Sequence, residues 1–481
     1  MALNEHMQAA RTDVNPRTAA GAQVGRAQSE VGTKWLPIAE PVGDPRQVRQ
    51  AILEGEPVFT ACRRFTVYRL AGGLMGVDRL RGANAHWLHL ESAGSREPSS
   101  QPEVLLAAFV PRVVDTRPLE VGQRPQGPSD LQFWQYPAAT ERQAFENHLK
   151  TELGSNVDKA RRLVHTYLGL PWATYIDKQQ VPEQVVRLCR SQIVGMAALA
   201  TLLGYELRVH TVCQHIYWRR LADTFRLLGI SCLHLSHDEQ TIDPGHEGWP
   251  FTVHSWPLFA PNIEVEDRRV GLCIGQPLEK KRYLASFIGA HMPHYRSEAR
   301  LRLAKAAQRG ERSDILVEVG TQWHFEKLVY QEQAQHAAIP RADTIRAAVD
   351  TQHYNEVLSD SVFSLCPEGA GPNTLRLWES LAVGAIPVIL HSGWRPPALG
   401  ATGGRSPLHE CCVFWPIDQV SMLWNALDSI QPAQRAAMQA RAMSLYQHAR
   451  QLTAWSPVLC SSVKSSRSAS NLKNDKETVK P

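Results

Sequence analysis

The pattern of apolar and polar positions divides the chain into two series of alternating strands and helices between polar ends. Residues 1–34 are rich in Ala, Gln, Arg and Thr with no sustained apolar period, and residues 461–481 are rich in Ser, Lys and Asn. Both ends read as disordered, because such composition cannot bury enough apolar surface to offset chain entropy. From Leu90 to Gln135 segments laden with Pro, Gly and Ser bracket one apolar run, Val104 to Val114, which suggests loops around a strand or two. From Ala138 the spacing becomes helical. ERQAFENHLKTELG and DKARRLVHTYLGL both carry apolar residues at helix period, the second ending at Gly169 and Pro171, and VPEQVVRLCRSQIVGMAALATLLG forms a long helix stopping at Gly204. Then ELRVHTV, WRRLADTFRLLG and ISCLHLSH read as strand, helix and strand, a βαβ unit that requires parallel pairing and a right-handed crossover.

A second series follows the stretch 265–281. YLASFIGAH, DILVEV, SVFSLCP, AIPVIL and CVFWPI are short β-rich runs, separated by helical segments such as SEARLRLAKAAQR and NTLRLWESLAVG. This alternation predicts an α/β fold with an open, doubly wound sheet. The expected organisation is a first α/β domain over 35–264, a linker over 265–281 and a second α/β domain over 282–460, with a cleft between the two domains.

Composition narrows the possibilities. At 481 residues, 43% hydrophobic and 21% charged, the chain suits a globular protein of more than one domain. No apolar run reaches eighteen residues, so no transmembrane segment is expected, and no signal peptide is evident at the N-terminus. The expected location is the cytoplasm, compatible with peripheral attachment at the inner face of a membrane. With 52 basic and 47 acidic residues the net charge of +5 gives no nucleic-acid footprint. The 9 cysteines contain no Cys-x-x-Cys pair and read as reduced, buried thiols, Cys411 and Cys412 among them.

The densest chemical signal runs from Phe363 to Leu390: a strand, the loop PEGAGPN, a helix and a second strand. Such a loop lies where open α/β sheets bind ligands. Gly369 and Gly371 permit close backbone approach, and the first turn of the helix offers free amides to an anion, a diphosphate for example. Arg376 and Glu379 share one helix face. A guanidinium fork suits phosphate oxygens, a carboxylate could accept from ribose hydroxyls, and Thr374 could donate to a phosphate. Taken alone, Arg376 and Glu379 are equally well an ordinary surface pair worth about half a kilocalorie or less.

Residues 361–390, SVFSLCPEGAGPNTLRLWESLAVGAIPVIL, resemble the C-terminal part of the exostosin-like glycosyltransferases. The shared features are a strand ending in Pro, a Gly-bearing loop, Arg-x-x-Glu on a helix, and Gly-x-Ile-Pro-Val. The likeness extends upstream through ASFIGAH and the Trp-His-Phe and Val-Tyr between Trp323 and Tyr330, more faintly to PWATYID and VHTVCQHIYW, and is absent before about residue 165. It implies a GT-B architecture of two facing Rossmann-like domains and an inverting transfer from a nucleotide sugar, UDP-linked by expectation, in a bacterial-type member of the family. Gly369, Gly371, Asn373, Thr374, Arg376, Glu379 and His324 are the expected donor-binding residues. No Asp-x-Asp occurs, so the carboxylate pair that holds a divalent metal in many other glycosyltransferases is missing. No metal site and no cofactor are expected, the nucleotide sugar being a substrate. Charge on the leaving diphosphate then falls to Arg376, the loop amides and the helix terminus.

An inverting transfer also needs a general base near the acceptor hydroxyl. Asp177, His210, His215, His237 and Asp238 are candidates, and Asp177 and His237 are chosen, the latter because it ends a predicted strand. For any one of them a structural role is the commoner fate. His210, Cys213 and His215 lack a fourth metal ligand nearby, and a strand would alternate their faces. Of the 13 tryptophans, Trp172, Trp218, Trp249, Trp256, Trp323 and Trp394 lie near predicted loops, where aromatic faces could stack on sugars, although core packing accounts for most tryptophans. The expected acceptor is a glycan or lipid-linked glycan, in polysaccharide or glycolipid assembly. The alternative is a non-catalytic nucleotide-sugar- or glycan-binding subunit of a partner transferase. A dehydrogenase or a P-loop enzyme is disfavoured by the absence of their glycine motifs.

Overall fold

A computed structural model of the chain describes residues 56–61, 65–70, 73–78, 87–89, 114, 135, 138–149, 156–239, 249–322, 325–335, 337–399 and 405–451. Both terminal segments expected to be disordered, and almost all of the loop-rich stretch 90–135, lie outside the described residues. Strands β1 (Glu56–Ala61), β2 (Phe65–Leu70), β3 (Gly73–Asp78) and β4 (Trp87–His89) form an antiparallel meander in that order, which the apolar pattern did not announce.

The first α/β half contains helix α1 (Thr140–Leu149), strands β5 (Val157–Asp158) and β6 (Leu163–Tyr167), and helices α2 (Trp172–Asp177) and α3 (Glu183–Leu202). Strand β7 (Glu206–Cys213), helix α4 (Ala222–Leu227), and strands β8 (Cys232–Leu235) and β9 (Thr252–Ser255) complete it. The sheet order is β5-β6-β7-β8-β9, antiparallel at the β5 edge and parallel elsewhere. The helix expected over DKARRLVHTYLGL is a turn followed by β6, which pairs in register with β7 from Leu163↔Glu206 to Tyr167↔His210. A parallel strand covered on both faces carries no alternation, and in a short apolar run helix and buried strand cannot be separated by period. The β-branched and aromatic residues Val164, Thr166 and Tyr167 favour the strand. Gly204 and Gly229, at φ of +77° and +70°, end the α3 and α4 segments in the left-handed region that L side chains avoid. Trp172, Trp218, Phe225 and Leu233 meet in this half's core.

The second half contains β10 (Tyr283–Ala290), α5 (Ala299–Gly310), β11 (Ile315–Gly320), α6 (Arg341–Ser359) and β12 (Ser361–Pro367). It continues through α7 (Leu375–Val383), β13 (Ile386–Leu390), β14 (Val413–Phe414), α8 (Leu423–Ser429) and α9 (Pro432–Gln451). All five strands are parallel in the order β11-β10-β12-β13-β14, so the direction of winding reverses between β10 and β12. Every residue of β12 and β13 is buried, which accounts for their unbroken apolar sequence. The stretch 265–281 is ordered against this half. Cys273 N donates to Ser359 Oγ at 2.9 Å, and the Lys281 ammonium donates to the carbonyls of Ser359 and Ser361 at 2.9 and 3.1 Å.

The carboxyl ends of the two sheets face each other. Residues Ser236 to Glu239, just after β8, touch the loops that follow β10, β12 and β13. This is the arrangement of two facing Rossmann-like halves with a cleft at their strand ends. No helix among the described residues is long and apolar enough to cross a membrane.

Candidate active site

In sheets of this order the ligand crevice opens where the winding reverses. Pairing between β10 and β12 stops at Ser286↔Ser364, although the strands run on to Ala290 and Pro367. The splay leaves carbonyls of β10 without strand partners, and two arginines fill the gap. Arg376, in the first turn of α7, donates to the Ile288 carbonyl, while Arg300, in the first turn of α5, donates to the carbonyls of Ala290 and, at 3.2 Å, Glu368. Both guanidinium groups flank the Phe287 ring, at 4.3 and 5.4 Å from its centroid, and Arg300 also lies 4.6 Å from the Tyr295 ring. Burial, with a contribution from neighbouring Arg376, lowers the Arg300 pKa to about 10, so it still carries a full charge near neutrality. Among the described residues neither arginine has a carboxylate within salt-bridge distance. Two half-buried cations without a salt-bridged carboxylate at a sheet crevice have the electrostatics to receive an anion.

The loop between β12 and α7 is packed to backbone contact. A Cβ on Gly369 would lie 2.7 Å from the Arg300 guanidinium, and one on Gly371 would overlap the His237 ring and lie 2.8 Å from Ile216. Asn373 is buried and ties the halves together: its Nδ2 donates to the Ser236 carbonyl at 2.9 Å while its Oδ1 accepts from Trp378 Nε1 at 3.1 Å. Thr374 caps α7 in extended conformation with its hydroxyl making no cap bond. Glu379 is 3% exposed, with Oε2 accepting from the Tyr354 hydroxyl at 2.6 Å and Oε1 from Asn262 N at 3.2 Å. Burial raises its pKa. Arg376 and Glu379 therefore do not form a surface ion pair. Each turns to its own partners, and Tyr354 lies between them, its ring 5.1 Å from the Arg376 guanidinium. His324 and Trp323 lie outside the described residues.

Arg296 bridges the cleft, pairing with Glu239 of the first half and lying 3.8 Å from the fully buried Glu368 of the second. Arg296 and Arg300 went unnoticed in the sequence. The available signal was positional: they sit on the segment following β10, the counterpart of the loop following β12.

On the first half, Asp177 ends α2. Its Oδ1 pairs with His215 Nε2 at 2.9 Å, and its Oδ2 accepts from the Gln135 amide. Tyr217 N donates to His215 Nδ1 at 3.0 Å, which assigns the imidazole proton to Nε2 and makes it the donor to Asp177. His237 makes no hydrogen bond to this pair. Burial, reinforced by nearby Arg296, lowers its pKa to about 3, and its Nδ1 is buried with no hydrogen-bond partner. Tyr217 is 48% exposed and Tyr330 38% exposed. Burial, then the charge of Asp177, raises the Tyr330 phenol.

The remaining candidates serve the interior. His210 belongs to a row of buried histidines on adjacent strands, its Nε2 2.9 Å from His165 Nδ1 and its Nδ1 3.1 Å from His234 Nε2, with His254 stacked on His234 at 5.1 Å. Asp238 is buried against Ser255 Oγ at 2.7 Å and Arg395 at 3.3 Å. Trp172, Trp218, Trp256 and Trp394 are core residues, and Cys411 and Cys412 are buried neighbours with sulfurs 3.9 Å apart.

Residues 230–403 match the Exostosin GT47 domain model, a span that covers the end of the first half and the crevice between β10 and β12. This part of the chain is similar to an exostosin domain. A probable glycosyltransferase of Arabidopsis thaliana is 30% identical over 95 residues, which are 20% of this chain and 18% of the plant protein. Among solved structures, the pneumococcal O-GlcNAc transferase GtfA in complex with UDP and GlcNAc aligns over 69% of this chain and 60% of its own, at 10% identity and a TM-score of 0.29. The α,α-trehalose 6-phosphate synthase of Burkholderia multivorans aligns over 71% and 78%, at 10% identity and a TM-score of 0.30. The chain thus spans less than a fifth of the plant relative's length and three fifths of GtfA's, and those structural overlaps are loose.

Proposed function

We propose that the chain is an inverting, metal-independent glycosyltransferase that takes a nucleotide-diphosphate sugar, UDP-linked, and transfers the sugar to a hydroxyl of a glycan or lipid-linked glycan in polysaccharide or glycolipid assembly. The observation that carries this is the pair Arg300 and Arg376, held without a carboxylate counter-ion at the crevice between β10 and β12. Each guanidinium spends some of its five N–H donors on a strand carbonyl and keeps others for phosphate oxygens. Gly369 and Gly371 keep the loop low, and the amides at the start of α7, with Thr374, face the same anion. Fixed donors of this kind stabilise charge developing on a leaving diphosphate. Glu379, expected to accept from ribose, is 3% exposed and instead steadies Tyr354 beside Arg376.

Asp177 is the proposed general base. Its carboxylate accepts from His215 and Gln135 and retains acceptor capacity for a sugar hydroxyl. As the acceptor oxygen bonds to the anomeric carbon, the bond from that carbon to the diphosphate breaks, and the hydroxyl proton passes to Asp177. His237, the other candidate, is ill placed for this: protonating it near neutrality would put a charge on a buried ring with an unpaired Nδ1. Tyr217 and Tyr330 offer exposed faces beside Asp177 for the acceptor ring.

The test is a thermal-shift titration with nucleoside diphosphates, followed by a screen of nucleotide sugars for turnover. Stabilisation by UDP that needs about 10- to 100-fold more nucleotide in Arg376→Ala, with slow donor hydrolysis by the unmodified protein, is the expected result. Absence of a shift with every nucleoside diphosphate overturns the proposal. Binding without hydrolysis or transfer reassigns the chain as a nucleotide-sugar-binding subunit.

A further inference from the structure

One buried carboxylate in the first half has no part in the chemistry above, yet its contacts converge on Asp177. Glu141, near the start of α1, is 4% exposed. It accepts from Ala173 N, at 3.2 Å to Oε1 and 3.1 Å to Oε2, and from Gln214 N, at 2.9 Å to Oε1. Ala173 lies in the first turn of α2, the six-residue helix that ends at Asp177, and the N-cap of that helix, Pro171, supplies no side-chain hydrogen bond. Glu141 therefore caps α2 from another helix, satisfying an amide that would otherwise be orphaned. Gln214 immediately precedes His215. One carboxylate thus holds the two backbone segments from which the Asp177–His215 pair is built.

Two glutamines close the circuit. Gln214 Oε1 accepts from Glu141 N at 3.1 Å, Gln214 Nε2 donates to Gln135 Oε1 at 3.1 Å, and Gln135 Nε2 donates to Asp177. Gln135 holds a left-handed φ of +47°, uncommon for a residue other than glycine and sustained only where its surroundings fix it. Burial raises the Glu141 pKa to about 8, against the pull of the amides of Gln214 and Ala173. A carboxylate is thus an unfavourable core group at this position, and an apolar side chain would fill the space with less desolvation. What an apolar side chain could not do is hold both segments in register.

We infer that Glu141 is a positioning residue for the Asp177–His215 pair, acting through the amides of Ala173 and Gln214, with Gln214 and Gln135 fixing the orientation of the aspartate. The inference rests on the role proposed above for Asp177.

The test uses the full-length chain and two variants. Glu141→Leu keeps roughly the volume and removes both acceptors. Gln135→Asn tolerates the left-handed backbone but no longer reaches Asp177, which guards against a folding defect in the first. Long-range proton–nitrogen correlation spectra read the His215 tautomer directly. The unmodified protein shows Nε2–H alone, and both variants show a mixture of tautomers. In parallel, kcat with the best donor of the nucleotide-sugar screen falls about 10- to 100-fold, while donor KM and the UDP thermal shift stay within twofold, because the crevice between β10 and β12 is untouched. Variants that retain the single tautomer and the original kcat overturn the inference. If UDP fails to shift the unmodified protein, the glycosyltransferase proposal fails, and the tautomer comparison still decides the role of Glu141.

Discussion

The two halves place chemistry at the ends of parallel sheets by different means. In the second half the crevice is made locally: the strands diverge, the exposed carbonyls attract Arg376 and Arg300, and a glycine loop packs beneath them. Most of its parts come from one strand-loop-helix unit and the residues after β10. In the first half the Asp177–His215 pair is assembled from Gln135, Glu141, Asp177 and Gln214, brought together through buried hydrogen bonds. The first device is backbone geometry reinforced by cations. The second is a network of side chains, in which each member depends on the others being satisfied. A single unit can be recognised and replaced on its own, whereas a distributed network fails as a whole.

Perturbing each half separately tests this contrast. The largest effect is expected at the network: Asp177→Asn should lower sugar transfer by about 10²- to 10⁴-fold while the nucleotide-induced thermal shift is unchanged. Loss of nucleotide binding in that variant would show that the halves do not divide the work. The next effect concerns acid stability. Burial lowers the His165 pKa to about 4 and carries those of His210 and His234 well down. The unfolded chain takes up these protons first, so the stability is present above about pH 6.5 and is lost as pH falls towards 4, on the order of 3 kcal/mol from His165 alone. Urea midpoints measured across that window should fall with acid, and His165→Leu should flatten the slope. Glu141 has the opposite sign, since the folded chain keeps its proton up to about pH 8 and its contribution declines as pH rises from about 4.5.

Smaller effects are expected in the second half. Arg376→Ala removes a charge-assisted contact and should weaken nucleoside-diphosphate binding about 10- to 100-fold by calorimetry, with donor hydrolysis falling in proportion. Gly371→Ala should destabilise the folded chain by about 1–3 kcal/mol, because its methyl group overlaps His237 and Ile216. Combining it with His237→Ala should recover part of that loss in denaturant unfolding, a non-additivity expected only if the two residues touch across the cleft.

The same contrast explains what could be read in advance. The strand, loop and helix from Ser361 to Val383 were legible because a doubly wound unit writes its strands, glycines and helix start in consecutive positions. Asp177 was singled out, but not His215 as its partner, because the two approach only when α2 and the end of β7 are brought together by the sheet. Reading β6 as a helix has a similar origin: its apolar face is continuous because both sides are covered, a fact that belongs to the sheet rather than to the strand.

By itself the sequence determined the α/β character of both halves, the strand-loop-helix unit that carries Gly369, Gly371 and Arg376, and the lack of an apolar span, since these depend on period, composition and short-range spacing. Only the tertiary structure decided which side chains complete the crevice, that Glu379 faces inward, that His237 packs on Gly371, and that Glu141 stands behind Asp177. Each of those depends on burial and on distances between residues far apart in the chain, and a linear pattern carries no record of either.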